Sequence, residues 1–486
     1  MVRIEISREV FRNDLYALVK AFLPAEEISI KVVPELLEQI LLDTGLFTEP
    51  GEHDAKRYAY RLFFNDERLA SFLLVDVSDT ERVDMKNRLK RDLYHVLSKR
   101  FEKELPWGTL NGIRPTNMAK KCLESGLSAD ETKEYMRSTY LVSDEKNDLA
   151  VDIAEREIRI LSGFRHNGYS LYIGIPFCPT TCLYCSFTSY PIGAWASRVD
   201  QYLDCVEKEI RFTAEAFKDQ TLDTIYVGGG TPTTLTPDQF ERLFTCLEKE
   251  LDLSHLKEFT VESGRPDSIT IEKLRVMKKH GVTRLSVNPQ TMKDETLKLI
   301  GRHHSVDDVR RAFVDAREVG FDNINMDMIL GLPGETDDDV RNTVEEIKKL
   351  GPDDLTVHSL AIKRASRLAE VIDKMGYDCI HTTDNTMKIA EQGAKDMGLV
   401  PYYLYRQKNI SGNFENTGYS RPGKEGLYNI LMMEEVQSIV AIGAGTVTKR
   451  LLDDGNTVRC DTHKDVELYM NEIDEMVARK RKLFMD

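Results

Sequence analysis

No run of 18 or more apolar residues occurs in the 486-residue chain, which argues against a membrane-spanning helix. The first residues, MVRIEISREVF, lack the pattern of a secretory signal. Neither a fixed-period repeat nor a low-complexity tract is visible. Basic residues are in deficit: 66 Lys and Arg against 81 Asp and Glu leave a net charge of −15. Such a surface repels phosphate backbones, and no basic domain offsets it, so a nucleic-acid partner is disfavoured. A small acidic substrate would need a local funnel of cations. Cysteines are few and mostly scattered. Cys122, Cys205, Cys246, Cys379 and Cys460 form no framework pattern, which points to a reducing cytoplasm.

The other three cysteines organise the chain. Cys178, Cys182 and Cys185 follow a C-x₃-C-x₂-C spacing, and the apolar run Leu171–Phe177 leads straight into them. This pattern predicts a buried strand ending in a loop at the open end of a sheet. Three such thiolates can wrap one side of a [4Fe–4S] cube and leave the fourth iron without a protein ligand. The alternative is a zinc knuckle, which wants a fourth ligand that no nearby Cys or His supplies at knuckle spacing.

From Leu171 the pattern alternates strand and helix six times. Strands are expected to begin near Leu171, Asp223, Glu258, Thr283, Asn323 and Asp354, with helices near 196–217, 236–250, 269–279, 306–319, 336–349 and 367–375. Six such units imply a parallel sheet with helices outside and chemistry at the C-terminal strand ends. The expected fold is α/β. Its domains are an N-terminal α+β domain over 1–105, a helical linker over 106–165, a partial barrel over 166–380 and a small C-terminal α+β region over 381–486. In the first region strands are expected at Arg3–Ile6, Tyr58–Phe64 and Ala70–Val77, with helices at Phe11–Phe22, Val33–Leu42 and Thr80–Phe101. A turn-rich segment, Trp107–Pro115, either joins domains or covers a site. A final helix is expected at about 464–482.

Motifs fall at the strand ends. Gly228-Gly229-Gly230-Thr231 lets backbone approach a ligand closely, or simply makes a tight turn. Glu262, Gln290 and Asp327 offer polar groups at the third, fourth and fifth strands. Arg302 can grip a carboxylate bidentately, and His303-His304 beside it are either a proton donor or solvated.

The cysteine spacing, with Tyr184 before the third cysteine, resembles the signature of the radical SAM superfamily. YIGIPFCxxxCxYC, GGGTPT, RLSVNPQ and INMDMILGLPGET together resemble its oxygen-independent coproporphyrinogen III oxidase family. PWGTLNGIRP and YYLYRQKN make the chain look like the HemZ-type branch. The resemblance implies a (β/α)₆ partial barrel, a [4Fe–4S] cluster and S-adenosylmethionine (SAM). It implies oxidative decarboxylation of two propionates of coproporphyrinogen III to vinyl groups, with a low-potential electron donor. By the resemblance, Cys178, Cys182 and Cys185 ligate the cluster. Tyr172, Gly229, Glu262, Gln290 and Arg302 contact one SAM, and Tyr184, Gly230, Thr231, Asp327 and Ala361 contact a second. Arg302 and His303 are the candidates for a catalytic role. Lys363, Arg364, Arg406, Lys408 and Arg421 are candidates for a propionate funnel, each weighed against being an ordinary surface cation.

The chain departs from the family pattern in three places. Gly174 stands where the better-known oxidases have His. Phe187 stands where they have a fourth Cys, as in the related haem chaperones. Those chaperones carry a His-Asn-x-x-Tyr box, and here the nearest segment is Tyr428-Asn429-Ile-Leu-Met432. Three further readings therefore stand beside the oxidase: a haem-binding chaperone without turnover, radical chemistry on another tetrapyrrole, and, last, RNA modification.

Overall fold

The computed structural model describes residues 1–24, 26–44, 58–74, 82–112, 114–165, 167–361, 366–376, 379–380, 382–406 and 414–485. The chain divides into two compact units. One comprises residues 1–155 with 406–414, the other 156–405 with 415–486. No helix among the described residues is long and apolar enough to cross a membrane.

The first unit is built on a four-stranded sheet. Its strands are β1 (Val2–Ile6), β2 (Ile28–Val32), β3 (Tyr58–Phe64) and β4 (Glu67–Leu74), in the order β2-β1-β3-β4. β1 and β2 are parallel, joined across the helix Arg12–Phe22; the other pairs are antiparallel. Ile4, Leu15, Leu18, Tyr58, Tyr60, Leu89 and Leu93 close the core between this sheet, that helix and the helix Arg82–Phe101. Trp107 is wholly buried, and the Thr109 N–H donates to the Tyr140 carbonyl at 2.7 Å. A methyl group on Gly108, whose φ is 52°, would meet that carbonyl at 2.1 Å. The turn-rich segment therefore packs on the end of the helix Ala129–Tyr140. β2 escaped sequence reading, although Ile28, Ile30 and Val32 alternate; only Ile30 of the strand is fully buried, so its pattern is short and weak.

The second unit carries one eleven-stranded sheet and a two-stranded ribbon. In chain order its strands are β5 (Gly168–Ile175), β6 (Phe177–Cys178), β7 (Tyr190–Pro191), β8 (Thr221–Gly229), β9 (Glu258–Val261), β10 (Arg284–Ser286), β11 (Ile324–Leu330) and β12 (Asp354–Ser359). β13 (Val400–Tyr405), β14 (Asn416–Ser420), β15 (Ser438–Ile442), β16 (Val447–Leu451) and β17 (Thr457–Asp461) complete it. β5, β8, β9, β10, β11 and β12 lie side by side in sequence order and parallel, which is the expected six-unit array. β15 adds a seventh parallel strand beside β5. Antiparallel strands extend both edges: β14 and β13 beyond β12, β16 and β17 beyond β15.

Three of the crossover helices start where side chains cap them reciprocally. Thr236 with Gln239, Ser305 with Asp308 and Thr336 with Asp339 form reciprocal capping boxes. Gly320 and Gly351 end two of the helices in the left-handed conformation that glycine adopts without strain. The helices turn Phe240, Leu243, Phe244 and Leu247, or Val340, Val344 and Ile347, toward Ile225, Val227, Met326 and Met328 of the sheet, all nearly inaccessible.

The C-terminal segment is pinned by buried charge. Lys480 and Glu209 are both wholly buried and lie 2.5 Å apart. The Glu209 carboxylate also accepts from the Tyr469 hydroxyl and, at 2.8 Å, from the Gly443 N–H. Lys480 also donates to the Ala441 carbonyl. The expected single terminal helix is two, Val466–Asn471 and Ile473–Phe484, broken at Glu472. Lys480→Met strands a carboxylate without a counter-charge. Chemical denaturation is expected to show a loss of about 3–5 kcal/mol. The double variant E209L/K480M is expected to regain most of it, because the buried charge is then gone from both sides.

Candidate active site

The inner face of the sheet is polar, unlike the aliphatic filling of a closed barrel. Strand alternation and register put the inward residues in layers. Tyr172 pairs with Tyr226, which pairs with Thr260, which pairs with Arg284. Ser286 pairs with Asn325 and Asn325 with Asp354; Asp327 pairs with Thr356. Tyr172, Tyr226, Glu262, Asp327 and His358 lie deep within the fold yet keep some accessible surface, so they line an interior chamber. Several buried polar atoms there have no protein partner: Thr260 Oγ1, Ser263 Oγ, Ser286 Oγ, Gln290 Oε1 and Arg302 Nε. Such atoms want a ligand or water.

The three thiols sit at the C-terminal mouth of β5. Burial raises the Cys178 thiol pKa; the Thr231 hydroxyl, 3.4 Å from its Sγ, opposes this, and Cys185 and Cys182 are close enough to add to the rise. Cys182 is buried, and the Cys185 N–H donates to its carbonyl at 3.1 Å. Among the described residues, no three His, Cys, Asp or Glu side chains converge as they would around one metal ion. Ligands of different corners of an iron–sulfur cube need not converge on one point, and an all-thiol set suits such a cube.

The glycine run holds this loop. The Gly230 N–H donates to the Ile175 carbonyl and the Thr231 N–H to the Phe177 carbonyl, each at 2.7 Å. A methyl group on Gly230 would lie 2.7 Å from the Phe177 oxygen and 2.9 Å from Cys178 Sγ. Gly229 has φ 113° and would place a methyl group 2.9 Å from the Ile175 backbone. These two N–H groups are thus spent inside the chain. The glycines bring two backbones together and so set the cysteines.

Opposite the thiols lie two guanidiniums. Arg302 donates from Nη1 to the Asn288 carbonyl at 2.6 Å and the Gly264 carbonyl at 3.1 Å, and it borders Tyr184 and Cys182. Arg265 reaches Thr180 and the Sγ of Cys182. His303 is exposed; His304 is the buried member of the pair, its pKa lowered to about 4 by burial and then by Arg302. Gln290 adopts φ 65°, a left-handed conformation costing a non-glycine residue about 1–3 kcal/mol. Backbone bonds of 2.9 Å to Asp327 and Ile329 impose it.

The deeper carboxylates differ. Burial raises the Asp327 pKa, but His358 and Asn325 outweigh it and the net direction is down. Asn288 and Asn325 donate to its two oxygens at 2.7 and 2.8 Å. Glu262 accepts from the Tyr226 hydroxyl at 2.6 Å and from the Gly229 backbone, but burial outweighs both and pushes it up to about 7. Tyr226 stacks on Tyr428 at 4.5 Å, and both stack on Tyr172. Ala361 is buried just beyond β12.

Arg406 is buried in the first unit, donating to the Leu110 carbonyl, and Arg421 lies 3.7 Å from Asp353. Lys363, Arg364 and Lys408 fall outside the described residues. Sequence reading assigned no role to Arg265, Asn288, Asn325, Tyr226 or His358. The signal for Asn325, Tyr226 and His358 was parity: each shares a strand face with a recognised or neighbouring inward group.

Glu262 makes a pH signature. Between about pH 4.5 and 7 the folded protein holds a proton there that the unfolded chain has released, so its contribution to stability falls as pH rises. The full effect is at most about 3 kcal/mol, since chamber solvent moderates it. Thermal unfolding of Glu262→Gln is expected to show a gain over wild type at pH 8 and little difference at pH 4.5.

Residues 172–347 match the Radical SAM superfamily. The chain is 40% identical over 423 residues to the oxygen-independent coproporphyrinogen-III oxidase-like protein HemZ of Bacillus subtilis, covering 86% of this chain and 84% of that one. It is also 40% identical over 195 residues to the heme chaperone HemW of the same organism, covering 40% of this chain and 51% of HemW. The structure of coproporphyrinogen III oxidase (HemN) from Escherichia coli shares the fold, with a TM-score of 0.52 at 23% identity over 66% of this chain and 72% of that one. The chain therefore belongs to the radical SAM family of oxygen-independent coproporphyrinogen III oxidase-like proteins, whose superfamily uses a [4Fe–4S] cluster and SAM.

Proposed function

We propose that the protein is an oxygen-independent coproporphyrinogen III dehydrogenase that converts two propionates to vinyl groups, giving protoporphyrinogen IX. The observation that carries this reading is the polar chamber with a three-thiol loop at its mouth. Cys178, Cys182 and Cys185 hold the cluster. When bound, the cluster and SAM would supply the 5′-deoxyadenosyl radical that takes hydrogen from a propionate β-carbon; loss of CO₂, with one electron passed to an external one-electron acceptor, would leave the vinyl. Glu262, Arg302, Gln290 and Asp327 have the donor and acceptor types that the amino, carboxylate and hydroxyl groups of SAM require. Tyr172, Tyr184, Gly229, Gly230, Thr231 and Ala361 complete the proposed contacts. Arg302 would offer the SAM carboxylate a fixed cation, and Glu262, near its titration point, would ionise as the SAM ammonium group approaches. The surrounding fold keeps water from the radical. The required electron comes from a low-potential donor.

A chaperone role is favoured by the identity to HemW over 195 residues. Against it, Tyr428 occupies the start of the corresponding box and packs in a cluster with Tyr172 and Tyr226, so no imidazole stands there.

Anaerobic reconstitution with iron, sulfide, SAM, a low-potential reductant and coproporphyrinogen III tests the reading. Two 5′-deoxyadenosines per protoporphyrinogen are expected, with complete loss in Cys182→Ala. Deoxyadenosine without decarboxylation assigns the chemistry to another tetrapyrrole. An intact cluster that yields no deoxyadenosine moves the chaperone reading forward.

A further inference from the structure

Arg265 is 4% exposed, sits in the loop after β9 and is held from every side. Its carbonyl accepts from the Ser268 N–H at 2.9 Å and the Ser268 hydroxyl at 2.7 Å, fixing the backbone. Its Nε and Nη2 donate to the two oxygens of Asp267 at 3.0 and 2.8 Å. Nη2 also lies 3.2 Å from the Thr180 hydroxyl, and Nη1 is turned to the cysteine loop. Nη1 lies 3.2 Å from the Thr180 carbonyl and hydroxyl and 3.8 Å from the Sγ of Cys182. The Thr180 hydroxyl donates onward to the Gly301 carbonyl at 3.0 Å, so the guanidinium cannot swing away without breaking the cysteine loop. Arg302, the proposed SAM contact, lies beside the same sulfur but is anchored separately to Asn288 and Gly264.

We propose that Arg265 sets the reduction potential of the cluster by holding a permanent, buried positive charge and an N–H against the Cys182 thiolate. This rests on the reading that Cys182 is a cluster ligand. Reduction places one electron, and no proton, on a group whose ligands are thiolates, and the electron comes from the external reductant. A fixed cation at that sulfur favours the more negative state, and hydrogen bonds to sulfur are among the levers that set such potentials. Burial keeps salt from screening it. The charge is partly balanced by Asp267, whose carboxylate Arg265 holds below its usual range against burial. The Asp267–Arg265 pair is therefore a dipole with its positive end on the sulfur, and its two halves act on the potential with opposite sign. A purely structural clamp would have no such sign.

The test is an EPR-monitored redox titration of anaerobically reconstituted protein, with and without SAM. Arg265→Gln is expected to lower the midpoint, reducing the reduced-to-oxidised ratio at a fixed potential about tenfold, or about 59 mV for a one-electron couple. Arg265→Lys, which keeps the charge, is expected to restore most of the shift. Asp267→Asn is expected to move the midpoint upward. An unchanged midpoint in Arg265→Gln, or Lys behaving like Gln, overturns the proposal. If Arg265→Gln fails to load a cluster, Asp267→Asn decides: an upward shift supports the proposal, and no shift or a downward one overturns it. Failure of the wild type to take up a cluster would instead sink the ligand assignment itself.

Discussion

Two backbones touching without room for a methyl group between them determine where the chemistry can occur. The end of β8, through Gly229, Gly230 and Thr231, lies against Ile175 to Cys178 with 2.7 Å hydrogen bonds on each side. Side chains would hold these strand ends apart. Glycine removes that obstacle at the cost of chain entropy, and the close contact then fixes the first cysteine relative to the chamber floor. Thr233 extends the same lock sideways. Its hydroxyl lies 2.6 Å from that of Ser268, and Lys273 donates to the carbonyls of both residues. The loops after β8 and β9 are therefore tied into one support for the cysteine loop.

A chamber lined by polar groups cannot hold itself together by apolar packing across its middle. Stability must come from outside and below. The outer helices supply the apolar burial. At the N-terminal ends of the strands, Arg284 and Asp354 form a wholly buried pair at 2.9 Å, joined by the Tyr402 hydroxyl at 2.8 Å. Glu258 accepts from the Leu427 and Tyr428 N–H groups that begin the helix Leu427–Glu434. That contact presses Tyr428 onto Tyr226 and closes the floor. Buried ion pairs contribute little net stability against an apolar alternative, but breaking one is expensive, so they enforce one arrangement. Glu262 is the opposite case. Burial disfavours its ionised form despite the Tyr226 hydroxyl and the Gly229 backbone, which is how a carboxyl kept for a ligand behaves.

The array of parallel strands was legible because each strand is a short apolar run and several of the helices start at a capping residue. The thiol loop and the polar strand ends were legible because their residue types stand out from that background. Asn288 was not, since an asparagine before a proline signals only a turn until the fold places it against Asp327, and Asn325 carried no more than the parity of its strand. Arg265 was hidden similarly: in Gly264-Arg265-Pro266 it looks like a loop cation, and only the fold brings it to Cys182, far away in sequence. The break at Glu472 is equally nonlocal: both terminal helices converge on Glu209, through Tyr469 and Lys480, and their remaining contacts diverge. Tyr469 reaches Glu209 and Tyr202, whereas Phe484 packs on Phe217.

The departure at Gly174 has a steric account. A methyl group there would lie 2.6 Å from the Thr446 side chain, and the Gly174 carbonyl accepts from the Tyr202 hydroxyl at 2.6 Å. Gly443, with φ 99°, would place its own methyl group 2.5 Å from that carbonyl. Thr446 is held by the Gly443 carbonyl and Thr462, and Gly443 by Glu209. The C-terminal turn thus fills the volume a side chain at position 174 would need. A larger residue at 174 and threonine at 446 compete for one space, so the two positions can change only together. The absent side chain at the end of β5 is therefore replaced in volume, though not in chemistry. Any proton or hydrogen-bond donor that a residue at 174 would otherwise bring to the mouth of the chamber must come from a different strand, and Tyr184, Arg302 and Arg265 are the donor groups that the fold gathers around the thiols.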